Sequence, residues 1–241
     1  MPQPACAKIG FIGSSAPSSP HHESFRAFIP KDIDFTFVQE ASGESSRDDD
    51  PWKLDALVKQ TVNLVARHHW DGLIVSGAPK EAFNPAMRER LTAALNIPVA
   101  TALRSSVAAL KAFSAKRILL MTPVDDELKK MYRDFLAGFG ISAVYPPQTL
   151  RQRTDAVKLT ASDVESLTRK TFAEYSGVDA IYFQGALLDP LKVLEKLEAE
   201  LRVPIVASNP AMLWAMLSKL GLRYEISGYG RLLSSWPSLP A

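Results

Sequence analysis

The sequence predicts an α/β protein made of two tandem, pseudo-symmetric halves, each a four-stranded parallel sheet covered by helices. Three observations carry this expectation: short apolar runs alternate with longer helical patterns, most runs end in small or turn-forming residues, and the chain repeats itself. The runs occupy residues 8–13, 35–39, 72–76, 97–101, 117–122, 141–145, 180–184 and 204–208. They are apolar almost throughout rather than alternating, as parallel strands buried on both faces require. Amphipathic stretches at 52–70, 104–113, 126–139, 161–175 and 191–201 read as the intervening helices.

The repeat sets the domain organisation. Asp71-Gly-Leu-Ile-Val-Ser-Gly77 lines up with Asp179-Ala-Ile-Tyr-Phe-Gln-Gly185, a spacing of 108 residues, and Ile97-Pro-Val-Ala lines up with Val203-Pro-Ile-Val, a spacing of 106. Several βα units agreeing in order point to duplicated halves, 1–115 and 116–241, related by an approximate two-fold and sharing one cleft. The polar stretch 42–51, with three consecutive aspartates, reads as a surface loop.

Composition narrows the function classes. The chain has 241 residues, enough for a substantial core, with 46% hydrophobic and 22% charged residues. A net charge of +2 from 28 basic and 26 acidic side chains gives no electrostatic case for nucleic acid or an anionic membrane as partner. No apolar run reaches the ~20 residues that span a bilayer, and the first eight residues hold no signal-like apolar core, so a cytoplasmic protein is expected. The single cysteine, Cys6, excludes an internal disulfide and a cysteine-based metal cluster. No phosphate-binding loop, dinucleotide fingerprint, serine-hydrolase elbow or zinc-peptidase helix occurs.

Ligands of open parallel sheets bind beyond the carboxyl ends of the strands, where backbone N–H groups point outward. That rule selects the turns at Ser14-Ser15, Ser76-Gly77-Ala78, Thr122-Pro123 and Gln184-Gly185-Ala186, with Ser208-Asn209 nearby. Their N–H and O–H donors suit a small carboxylate.

At these same residues the chain resembles the aspartate/glutamate racemase superfamily, in particular its arylmalonate decarboxylase and maleate isomerase branch. The segments that carry the resemblance are Ile9-Gly-Phe-Ile-Gly13, the repeated Asp71 and Asp179 segments, Thr122-Pro123, Val203-Pro-Ile-Val-Ala-Ser-Asn-Pro210 with Trp214, and a closing Ser227-Gly-Tyr-Gly-Arg-Leu232. The resemblance implies flavodoxin-like halves, a cleft between them, no cofactor, and proton-transferring or nucleophilic cysteines after the third strand of one or both halves. Cysteine suits that role because its pKa is tunable toward neutrality. Here the two cysteine positions match Gly77 or Ser76 and Gly185 or Gln184, and Val124 stands where the family often has a tyrosine on the substrate carboxylate.

Other candidates are fewer. Cys6 precedes the first strand and is expected at the amino end of the sheet, away from any ligand. His21 and His22, in the turn after the first strand, read as solvated, with proton transfer as their functional alternative. Lys80 and Glu81 read as a solvated helix start, although a lysine there could pair with a carboxylate and a desolvated glutamate could act as a base. His68 and His69 end a helix, Asp125 and Asp126 start one, and Asp189-Pro190 resembles another start. Two functions stay open: an isomerase, racemase or decarboxylase acting on a small carboxylic acid, or an inactive relative that still binds one. The substrate and the oligomeric state are left undetermined.

Overall fold

A computed structural model of the chain describes residues 5–19, 22–41, 51–146, 156, 158–185 and 188–240. Eight strands form two all-parallel sheets with flanking helices, the architecture expected from the sequence. The first sheet has the order β2-β1-β3-β4, from β1 (Ala7–Gly13), β2 (Ile33–Gln39), β3 (Gly72–Val75) and β4 (Val99–Thr101). The second has the order β6-β5-β7-β8, from β5 (Arg117–Met121), β6 (Ser142–Val144), β7 (Ala180–Phe183) and β8 (Ile205–Ala207). Adding four to each label of the first order gives the second.

The helices follow from local chemistry. They are α1 (Glu23–Arg26), α2 (Pro51–His68), α3 (Ala78–Phe83), α4 (Met87–Ala94), α5 (Ala102–Ala112), α6 (Asp126–Ala137), α7 (Ala161–Ala173), α8 (Leu194–Leu201), α9 (Ser208–Lys219) and α10 (Arg231–Ser235). Asp125 caps α6 by accepting from Leu128 N at 3.0 Å, and Thr160 with Asp163 forms a reciprocal capping box at α7. Two sequence expectations need correction. Asp189-Pro190 does not open a helix: Asp189 Oδ1 accepts from Leu191 N at 2.9 Å in a turn, and α8 begins only at Leu194. Ser208 and Asn209 are not turn residues but the first residues of α9. Of the polar stretch 42–51, residues 42–50 lie outside the described residues and Pro51 starts α2.

By contact density the chain divides into one unit of residues 1–104 with 215–222, and another of 105–214 with 223–241. In the first unit, alternation along the strands sorts the core. Ile12, Leu73, Val75 and Val99 pack with Leu54, Leu57, Met87 and Leu91 of α2 and α4. Phe11, on the opposite face of β1, joins an aromatic cluster with Phe25, Phe35 and Phe37 at centroid spacings of 5.1, 6.1 and 5.2 Å. The later half of α9 also belongs here, since Met216 Sδ lies where a Cβ on Gly72 would be. In the second unit, the Ser227–Leu232 motif docks on α8. Glu195 Oε1 accepts from Gly228 N at 2.6 Å, Glu198 Oε2 accepts from Arg231 N at 2.7 Å, and Leu194 leaves no room for a Cβ on Gly230.

The repeated aspartates fix strand register. Asp71 N donates to Lys8 O at 2.8 Å while its carboxylate accepts from Lys8 N, also at 2.8 Å. Asp179 N donates to Arg117 O at 2.7 Å, and its carboxylate accepts from Lys116 N and Arg117 N at 2.9 and 2.8 Å. The repeat in sequence is therefore a repeat in mechanics: each aspartate ties its strand to the central strand of its sheet. The two N–H donors, that of Arg117 foremost, hold the Asp179 carboxyl below its ordinary pKa.

Candidate functional site

In each unit the selected residues stand at the carboxyl ends of strands. In the first, Ser76 N donates to Ile12 O at 2.8 Å as the β1–β3 ladder ends. Gln39 Nε2 donates to Ser14 O at 2.9 Å and steadies the turn after β1. Gly77 has φ +109°, a backbone setting that favours glycine, and the chain turns there into α3. Ala78 is buried, Ser76 half-buried and Ser14 exposed.

The side chains that converge on this turn were only partly foreseen. Lys80, one turn into α3, folds back so that a Cβ on Gly77 would lie 3.8 Å from its Cε and 3.9 Å from its Nζ. Its ammonium forms an ion pair with Glu40, the residue after β2, and the two side chains are 13% and 1% exposed. Burial lowers the Lys80 ammonium to about 8. Glu40 is held on three sides: its N–H donates to Gly13 O at 2.9 Å, and Gln60 of α2 accepts from Ala41 N at 3.0 Å and donates to Gln39 O at 3.2 Å. The second oxygen of Glu40, Oε1, is buried with no hydrogen-bond partner among the described residues.

Lys80 and Glu81 are thus not a solvated helix start. Both side chains are largely buried, Lys80 at 13% exposed and Glu81 at 1%. Glu81 is committed elsewhere: its carboxylate accepts from Thr101 Oγ1 at 2.6 Å and from Leu103 N and Arg104 N at 2.7 and 3.3 Å, capping α5. Burial raises its pKa against the pull of these bonds. His22 is not solvated either. It is 6% exposed, its ring 4.5 Å from that of Phe37 and its Nε2 3.5 Å from Ser15 O. His21 lies outside the described residues.

In the second unit, hydrogen bonds between neutral groups join the strand ends. Thr122 Oγ1 donates to Gln184 Oε1 at 2.8 Å, both side chains buried, so Gln184 keeps its amide N–H groups as what it can offer a ligand. Ser208 Oγ accepts from Gly185 N at 3.3 Å and is 3.3 Å from the Tyr182 hydroxyl. Gly185 has φ +92°. Pro123 and Val124 are buried, Asn209 is half-buried, and Ala186 lies outside the described residues. A small cavity opens beside Thr122, lined also by Lys129, Tyr145, Pro146 and Leu188. Glu40 and Tyr182 were missed in the sequence. Glu40 follows an apolar run directly, so the same strand-end rule that selected Ser76 reaches it; Tyr182 sits inside a strand and gave no signal.

Cys6, the one cysteine of the chain, is exposed and precedes β1, with its N–H donating to Asp32 O at 2.7 Å just before β2. It stands at the amino end of the first sheet, as expected. Among the described residues no group of three or more His, Cys, Asp or Glu side chains is arranged to hold a metal ion, and no helix is long and apolar enough to cross a membrane.

Comparison with known proteins agrees with this architecture. The chain is 25% identical to a maleate isomerase of Alcaligenes faecalis over 150 residues, 58% of this chain and 55% of that protein, so it spans about half the length of this curated relative. Its fold matches the maleate isomerase Iso of Pseudomonas putida S16, solved as a cysteine-to-alanine variant with maleate, at a TM-score of 0.77 and 19% identity over 95% of this chain and 97% of that one. A double mutant of arylmalonate decarboxylase in the liganded form matches at a TM-score of 0.78 and 21% identity, over 95% and 99% of the two chains. A maleate cis-trans isomerase of Nocardia farcinica, solved with a covalently bound succinylcysteine intermediate, matches at 0.69 and 20% identity over 95% and 98%. The sequence profile of the arylmalonate decarboxylase family covers residues 75–233, about two thirds of the chain. The chain is a member of the arylmalonate decarboxylase family.

Proposed function

We propose that the protein binds a small carboxylic acid and moves a proton at the carbon next to its carboxylate, without a cofactor and without a thiol. The observation that carries this reading is the placement of the one cysteine. Cys6 is exposed at the amino end of its sheet, whereas donor-bearing turns built from Ser14, Ser15, Ser76 and Gly77, and from Thr122, Gln184 and Gly185 with Ser208 opening α9, stand at the carboxyl ends. The positions that the resemblance assigns to thiols, Gly77 or Ser76 and Gly185 or Gln184, carry none. Relatives solved with maleate or a succinyl adduct support a small carboxylate as the ligand class. N–H donors fixed by the fold suit both the carboxylate and the enediolate that forms from it.

The missing thiols favour a second reading, a relative that binds carboxylates and no longer turns them over. One pair of measurements decides between them. Phenylmalonate, maleate, aspartate and glutamate are offered to the protein; a ligand-dependent rise in Tm reports binding, and carbon dioxide release or α-proton exchange into deuterated water reports turnover. Both signals are expected, and Cys6→Ala is expected to leave both unchanged. Binding without turnover selects the second reading, and a loss of turnover in Cys6→Ala overturns the thiol-free mechanism.

A further inference from the structure

We propose that Lys80, held by Glu40, is the catalytic acid and base of this protein, carrying a proton to and from the carbon next to the substrate's carboxylate. The inference rests on the carboxylate-binding reading above and deepens it by naming the group that does the chemistry.

Three observations converge on the pair. The first is position: Lys80 Nζ lies within 3.9 Å of the point where a side chain on Gly77 would begin, at the same strand-end turn that presents Ser76 and the Gly77 N–H. The second is an open acceptor. Glu40 Oε1 is buried without a partner among the described residues, and a buried carboxylate oxygen left so is costly unless something donates to it. A ligand donor, or a Lys80 N–H reoriented as its proton leaves, fills that place. The third is chemistry. Serine hydroxyls at 14, 15 and 76 ionise far above neutrality, Glu81 is engaged with Thr101 and the start of α5, and His22 is packed against Phe11 and Phe37. Lys80, its ammonium lowered to about 8 by burial, holds a usable share of both protonation states near neutral pH.

The step balances in both directions. In decarboxylation the bond between the α-carbon and one carboxylate breaks, carbon dioxide leaves, and the electron pair stays on the enediolate of the remaining carboxylate. The Lys80 ammonium gives one proton to the carbon, becomes the neutral amine, and regains a proton from water. In exchange the neutral amine removes the α-proton, its ammonium equilibrates with solvent, and the enediolate takes a solvent-derived proton back. Glu40 stabilises each ammonium state and aims the Lys80 side chain.

The test uses the full chain with phenylmalonate, aspartate and glutamate as probes, read by NMR in deuterated water and by melting shift. The expected result is saturable decarboxylation or α-deuteration of at least one probe, insensitive to iodoacetamide, with the decarboxylation rate falling as pH rises through about 8. Lys80→Arg keeps the charge and the contact with Glu40 but cannot give up its proton near neutrality. It should bind the probe yet lose about 10²-fold or more in rate. Lys80→Met/Glu40→Gln, which leaves no buried charge, should behave likewise, whereas Glu40→Gln alone should shift the pH profile and keep part of the rate. A rate retained in Lys80→Arg, or binding of the probes by the native chain with no turnover, overturns the assignment of Lys80. No binding of any probe overturns instead the carboxylate reading on which it rests.

Discussion

The two units share one topology and one register device but differ in the chemistry at their strand ends. At the carboxyl ends of the first sheet, a charged pair, Lys80 and Glu40, lies almost out of contact with water. At those of the second, neutral partners, Thr122 with Gln184 and Ser208 with Gly185, stand beside a cavity that the buried Lys129 also lines. The aspartates at the amino ends, Asp71 and Asp179, do the same work in both. The comparison teaches that the two units share what aligns their strands and differ at the carboxyl ends of those strands. A buried ion pair contributes little net stability against apolar replacements, so the Lys80–Glu40 pair is better explained by function than by folding.

Breaking the pair should give the largest effect. Lys80→Met strands a buried carboxylate at Glu40 and is expected to cost about 3–5 kcal/mol in urea unfolding. Adding Glu40→Leu should restore most of that loss. An uncorrected loss in the double variant would mean that packing around α3, not charge, sets the cost.

A smaller effect separates two buried glutamates that anchor backbone. Glu198, which accepts from Ile205 N and Arg231 N at 2.7 Å each, should lose about 2–3 kcal/mol on Glu198→Ala, with Glu81→Ala costing at least as much because its carboxylate serves three donors. Burial raises the Glu198 pKa above its ordinary value, so this group's titration contributes stability that is full below the ordinary value and is lost as pH rises through the folded one. Glu198→Gln should therefore flatten the dependence of Tm on pH in the mildly acidic range; an unchanged slope would assign that dependence to other groups.

The finest comparison lies between the aspartates. Asp179 serves two N–H donors and Asp71 one, so Asp179→Asn should lower Tm more than Asp71→Asn, each by a small amount. Because those donors depress the Asp179 pKa, its contribution is present above the ordinary carboxyl value and lost as pH falls through the folded one. The gap between wild type and Asp179→Asn should close in strong acid, and a gap that persists there would show that the carboxylate's charge is not what matters.

Much of this was legible in the sequence because parallel strands buried on both faces leave unbroken apolar runs, and all of these runs became strands. The turns at Ser14, Ser76, Thr122 and Gln184 followed from the same pattern, since the carboxyl end of a strand is where its run stops. The environment of Lys80 was not legible. A lysine three residues past a glycine in a new helix is solvated in most proteins, and only the inward face of α3 and the proximity of Glu40, forty residues earlier, reverse that. His22 was misread for a similar reason: the aromatic cluster that covers it comes from β1 and β2, which no local pattern brings to a turn histidine. Short helices such as α3 and α4, at 6 and 8 residues, gave too little periodicity to be read.

One feature of α9 bears on how the chain reaches its native state. Its later half, with residues up to 222, belongs to the unit otherwise made of residues 1–104. On the ribosome, then, the first sheet is synthesised long before the segment bearing Met216 that covers Gly72. At ~5–20 residues per second the wait is on the order of ten seconds, during which that patch is bare and open to chaperones. Nascent chains halted near residue 150 should accordingly be cut by protease within the first unit, and chains halted well beyond residue 222 should resist. The order of translation, rather than the order of the domains, decides when the first unit is complete.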